Sequence, residues 1–234
     1  VANTDYEKPI LLNAVDVQPG DVLLCNCGPY SDFSQRRIED VTGSPYVHAA
    51  ISVGAGMVAE STTGGLQQVS LAELLERYAH VAVFRSSYVW SEDRVRKLKA
   101  FVEREIQRQA KYSFIGAFKL LWKPKKHAAT IHQQLQDFFN RAPESKKKVV
   151  FFGHKRYFCS EFVAQCFIEA GFTEGAGAVF FRPDVQTPAA LGRDWLYGVL
   201  VGFITNKNDY VVPAEDEFYN DATYREIFLD EANG

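Results

Sequence analysis

The apolar positions of this chain recur with two periods, two residues in some stretches and about three and a half in others. After the turn Val17-Gln18-Pro19-Gly20-Asp21, the run Val22-Leu23-Leu24-Cys25 predicts a short buried strand, with Asp21 as a turn-capping carboxylate. Residues 28–45 are polar and glycine-bearing, with a short helix over 34–41. From 47 to 54 the pattern alternates: Val47, Ala49, Ile51 and Val53 share one strand face, and His48, Ala50 and Ser52 the other. Gly54-Ala55-Gly56 turns the chain, and residues 57–61 return as a hairpin partner. If those three residues form the loop, Val53 faces Met57 and Ala50 faces Glu60. Glu60 then shares a face with His48, whereas a two-residue loop would place it on the opposite one.

Further along, residues 62–65 read as a loop, Ser70 caps a helix over 71–78, and 80–85 form a strand in which His80 is structural. Ser91 caps a long helix over about 92–109. Residues 157–172 read as one more amphipathic helix, stopped by Gly171. At about 100° per residue, Phe162, Val163, Cys166, Phe167 and Ala170 fall in a stripe centred near Cys159, with Glu161, Gln165 and Glu169 on the far side. Cys159 therefore sits in the first turn and points inward. The helix dipole and unpaired backbone N–H groups favour an anion there, and the same N–H groups could hold a developing oxyanion. Beyond it come a helical turn over 189–192 and an apolar strand over 196–204.

Composition narrows the function classes. The 234 residues, 47% hydrophobic and 14% aromatic, suffice for one large domain over 1–234. A net charge of −3 gives no global basic character, so nucleic acid is not an expected partner. No run of some 18 apolar residues would cross a membrane. The four cysteines, Cys25, Cys27, Cys159 and Cys166, match neither a disulfide scaffold nor a zinc spacing, so free thiols and no metal site are expected. Charge is nonetheless uneven. Residues 116–156 hold ten Lys or Arg against Asp137 and Glu144, and read as a basic helical insertion able to meet an anionic polymer or a membrane surface. His127 and His132 within it do not share a helical face. The tail 209–234 carries eight acidic residues, Arg225 and several aromatics, so part of it is expected to pack on the body, with the basic insertion as the complementary surface.

Strand histidine, hairpin carboxylate and helix-start cysteine together follow the logic of a cysteine nucleophile activated by an oriented imidazole. Pro19-Gly20-Asp21-Val22-Leu23-Leu24, Ser44-Pro45-Tyr46-Val47-His48-Ala49-Ala50-Ile51, Glu60, Lys111-Tyr112-Ser113 and Phe158-Cys159-Ser160-Glu161-Phe162-Val163 occur in that order. The ordered set resembles the circularly permuted NlpC-type papain-like proteins, including the YiiX-like and lecithin retinol acyltransferase-like groups. The resemblance spans roughly 17–204 apart from the basic insertion. It implies an α+β permuted papain-like fold, in which a small antiparallel sheet packs against the helix that carries the cysteine. It also implies a Cys159–His48–Glu60 triad, with Tyr112 near the site; Ser160 and Ser52 are further substrate-adjacent candidates. Lys111-Tyr112-Ser113 departs from the commoner tyrosine–aspartate pair, and Cys25-Asn26-Cys27 is a further departure.

The activity so implied is hydrolysis of an amide through a thioacyl enzyme, with no cofactor. The first substrate expected is a bacterial cell-wall peptide in the envelope, and a role as an antibacterial toxin is compatible with it. A lipid acyl hydrolase or acyltransferase at a membrane surface is the alternative, and a non-catalytic binding module is the third reading.

Overall fold

The computed structural model describes residues 9–28, 33–108, 111–112, 156–172, 187–207 and 209–219. In chain order these form β1 (Val22–Asn26), α1 (Phe33–Thr42), β2 (Tyr46–Gly54), β3 (Met57–Thr62), β4 (Gly65–Ser70), α2 (Leu71–Glu76), β5 (His80–Arg85) and α3 (Glu92–Gln107). They continue with β6 (Lys111–Tyr112), β7 (Arg156–Tyr157), α4 (Cys159–Glu169), α5 (Pro188–Gly192) and β8 (Val199–Ile204). Six strands make one antiparallel sheet in the order β4-β3-β2-β1-β5-β8. The fold is thus α+β. β6 and β7 pair in parallel as a separate short ladder. The expected basic insertion lies, apart from the backbone of Arg156, outside the described residues, as do His127, His132 and the tail beyond residue 219.

Each side of the sheet is covered. On one, Leu24, Ala49, Ile51 and Phe84 pack with Phe101 of α3, Phe162 and Phe167 of α4, and Leu191 of α5. On the other, Leu23, Cys25, Ala50, Val81 and Val83 pack with Leu71, Leu74 and Leu75 of α2. Central strands covered on both faces explain why every residue of β1 and β2 is buried. Ser70 caps α2 and exchanges a reciprocal pair of bonds with Glu73, whereas Ser91 caps α3 by accepting from the Arg94 N–H.

Two slips in the ladders matter for the site. Cys25 pairs with His48 but Asn26 pairs with Tyr46, so Val47 is skipped. Val47 therefore packs with Ala50 rather than sharing the face of Ala49 and Ile51 as its alternation predicts. At the β2–β3 turn, Gly54 pairs with Met57, and Val53 is the skipped residue. The turn is the two residues Ala55 and Gly56, at φ 53° and 69°, the left-handed geometry that a tight hairpin requires. This differs from the three-residue loop expected, in which Val53 faces Met57. Ala50 still pairs with Glu60, because the skipped Val53 compensates for the shorter loop.

Residues 209–219 pack into the core beside β2 and β5 through Val212, Phe218 and Tyr219, anchored by Asp216. Its carboxylate accepts from Tyr46 Oη at 3.0 Å and from His80 Nε2 at 3.0 Å, and Tyr210 Oη lies 2.9 Å from His80 Nδ1. Phe218 packs on Tyr46 and Phe84. This part of the tail thus packs on the sheet. Asp21 caps its turn by accepting the Gln18 N–H and also receives Arg85 through two bonds of 2.8–2.9 Å.

Candidate functional site

His48 is held by a central strand, Glu60 by the neighbouring strand of the same hairpin, and Cys159 by the first turn of α4, which packs against β2 and β3. His48 Nε2 lies 2.8 Å from Glu60 Oε2. An ionised carboxylate can only accept, so Nε2–H donates and the other ring nitrogen, Nδ1, is left for the thiol. The second oxygen of Glu60 is also taken. Oε1 accepts from Gln67 Nε2 at 2.8 Å and from an Arg77 guanidinium N–H at 2.7 Å. Gln67 stands directly across the β3–β4 ladder from Glu60, and Arg77 follows the last residue of α2. Tyr78 lays its ring parallel to the imidazole, 5° between planes and 5.7 Å between centroids.

The site is closed. Glu60 is fully buried, His48 is 8% exposed and Cys159 2%. A buried carboxylate without partners would be costly, which is why three donors converge on Glu60. Burial alone would push its carboxyl up, but His48, Gln67 and Arg77 hold it down at about 2. Burial would likewise push the imidazole down. The hydrogen bonds and charges of Cys159 and Glu60 more than offset that and push His48 up to about 9. The arrangement favours a proton on His48 between a carboxylate and a thiol.

At the head of α4, Phe158 occupies the N-cap position and has no side-chain acceptor for the first-turn N–H groups. Glu161 differs from its expected place on the polar side of the helix. It is buried, and its carboxylate accepts the Phe158 N–H at 3.1 Å. The apolar environment extends around most of the first two turns of α4.

The remaining expected residues separate. Ser160 is fully buried next to Cys159. Ser52 is buried at the hairpin end, where its Oγ accepts the Gly54 N–H at 3.2 Å. It lies four residues along β2 from His48, about 13 Å at strand rise. The structure does not bring Ser52 to the imidazole. Tyr112 belongs to β6, and its side chain lies outside the described residues. All four cysteines are free thiols; burial pushes the thiols of Cys25 and Cys166 up. Cys25 sits opposite His48 on β1. Among the described residues no group of three or more His, Cys, Asp or Glu is placed to hold a metal ion, and no helix is long and apolar enough to cross a membrane.

Sequence reasoning missed Gln67, Arg77 and Tyr78. Leu66 and Val69 are three residues apart and lie on opposite faces of β4, so no alternation marks Gln67, and the strand shows only once its partner is known. The sequence pattern places Arg77 and Tyr78 in the last turn of a helix over 71–78, whereas α2 ends at Glu76 and Arg77 is its C-cap. No family model, curated protein or solved structure matches this chain.

Proposed function

We propose that this chain is a cysteine hydrolase on a circularly permuted papain-like scaffold of the NlpC type, cleaving an amide of a bacterial cell-wall peptide. One observation carries the reading: His48 lies between the Glu60 carboxylate and the helix-start thiol of Cys159, with its Nε2 committed to Glu60. A structural histidine needs one good acceptor; this one has an acceptor anchored by two further donors and a thiol on its other side.

In the proposed reaction the proton of the Cys159–His48 pair rests on His48, and Cys159 Sγ attacks the amide carbonyl as the thiolate. The oxyanion that forms accepts from the Cys159 backbone N–H. Collapse breaks the C–N bond, the amine leaves with the proton from His48, and a thioester remains. Water, deprotonated by His48, then releases the acid and restores the thiol. Glu60 keeps the imidazole oriented throughout. Because the thiol is nearly covered, substrate has to displace or slide beneath what overlies it. The basic segment 116–156, with Lys146, Lys147 and Lys148, would raise the local concentration of an anionic polymer.

The test is product analysis by mass spectrometry on muropeptides and on phospholipid vesicles, wild type against Cys159→Ala. Muropeptide cleavage that disappears in the variant is the expected result. Fatty-acid release with intact muropeptides would move the substrate to lipid esters. Turnover of neither, with the chain folded, would leave a binding module.

A further inference from the structure

The anchoring of Glu60 suggests more than neutralisation of a buried charge. We propose that Arg77, together with Gln67, is a positioning residue for His48: by occupying Oε1 of Glu60 the two reserve Oε2 for the imidazole and so fix which ring nitrogen meets Cys159. The proposal rests on the hydrolase reading above but concerns its supporting layer, which the triad logic does not contain.

Arg77 is well placed for this. Its backbone N–H closes the end of α2 on Leu74 O, so its position is set by the helix rather than by a loop. One guanidinium nitrogen bonds Glu60 Oε1 at 2.7 Å, and Nε reaches Glu73 O at 3.4 Å. The guanidinium carbon also lies 5.7 Å from the centroid of the Tyr78 ring, the ring that stacks on His48. Arg77 therefore touches both groups that define the imidazole's plane and tilt. Gln67 supplies a neutral donor to the same oxygen from β4. The groups around His48 are Cys25 from β1, Glu60 from β3, Tyr78 after α2 and Cys159 from α4, with Gln67 and Arg77 behind Glu60.

Positioning and plain charge have opposite signs here, which makes the idea testable. Arg77 is a cation, so through space it disfavours a second cation on His48. Removing only that repulsion would raise the pH at which the imidazole loses its proton. If Arg77 instead holds Glu60 in place, its loss frees the carboxylate to turn away and His48 loses its acceptor. The midpoint then falls, because burial is no longer offset.

The experiment is an NMR titration of the His48 imidazole in the full chain for wild type, Arg77→Met and Gln67→Leu, with thermal unfolding as the folding control. Methionine keeps an unbranched stem over Tyr78 and removes the fork; leucine removes a donor without changing charge. A fall of about one pH unit in Arg77→Met, and a smaller fall in Gln67→Leu, is expected. A rise or no change in Arg77→Met overturns the proposal. If that variant does not fold, Gln67→Leu decides on the same terms. Iodoacetamide labelling of Cys159 in the same samples separates the two ideas. A falling His48 midpoint beside an inert Cys159 in the wild type would keep the positioning role and sink the hydrolase.

Discussion

Gly54, not Val53, faces Met57 at the β2–β3 turn, and the residue skipped there keeps Glu60 opposite Ala50. Without it, a two-residue turn would pair Glu60 with Ile51 and turn its carboxylate to the Ile51 face of the sheet, opposite the face that carries Ala50 and His48. The bulge is thus the local feature that assembles the carboxylate–imidazole pair. Its cost is an unpaired position at the strand end, where sheets tolerate irregularity best.

The turn beside it also contains a strained residue. Ala55 is the one non-glycine at positive φ among the described residues, in a geometry that costs an L-residue about 1 kcal/mol or more. Ala55→Gly should relieve this and stabilise the chain by roughly 0.5–1 kcal/mol, reduced by the greater freedom glycine gains when unfolded. Urea unfolding measures it. A lower midpoint would mean that the turn has a different backbone conformation.

Among the four thiols, Cys159 should react first with iodoacetamide near neutral pH. Cys25, Cys27 and Cys166 are equally hidden, but burial disfavours the anions of Cys25 and Cys166, whereas Cys159 has His48 beside it. His48→Ala should slow the labelling of Cys159 and leave the others unchanged. Peptide mapping of the alkylated protein reads this directly, and prior labelling of Cys25 or Cys27 would remove Cys159 from the chemistry.

Much of this architecture is legible in the chain because local pattern and environment agree. The strand His80–Arg85 reads with both its ends, and the stripe on α4 places Cys159 inward. What escapes is set by distant partners. Gly65–Ser70 becomes a strand because β3 offers it a ladder, and its Gln67-Gln68 pair carries little β signal alone. Gln67 and Arg77 reach Glu60 from 7 and 17 residues away, contacts that no helical or strand period encodes. The acidic, aromatic tail shows that it packs somewhere, but Asp216 finds His80 and Tyr46 only in the folded sheet.

That tail contact should matter for stability. Asp216 is 5% exposed and is the acceptor for Tyr46, His80 and the Phe218 N–H. Asp216→Ala leaves buried donors unpaired, which typically costs about 1–3 kcal/mol for each donor left unsatisfied. Chemical denaturation of the full chain measures it. Because Tyr46 lies on the same strand two residues before His48, the variant should also disturb the His48 imidazole resonances before global unfolding. A near-native midpoint would show that residues 209–219 detach without consequence.

Glu60→Gln and a pH series together test the electrostatics of the site, and the signs are fixed. His48 is raised from about 6.5 to about 9, so the stability it contributes is fully present below about pH 6.5 and is lost as pH rises through 9. Glu60 is lowered from about 4.5 to about 2, so its contribution is present above about pH 4.5 and lost as pH falls through 2. The two belong to one pair, and the wild type should show a plateau between about pH 4.5 and 6.5 with a decline on either side. In Glu60→Gln the imidazole loses its anionic acceptor while staying buried, so its midpoint should drop toward or below the ordinary value and the alkaline decline should shrink. Under the proposed hydrolase function, the same variant should turn over muropeptide more slowly than wild type yet faster than Cys159→Ala or His48→Ala, because the proposed binding and oxyanion contacts survive it. Urea midpoints across pH, with the His48 titration followed by NMR, supply both readings. An alkaline decline of unchanged size in Glu60→Gln would show that Glu60 does not hold the proton on His48.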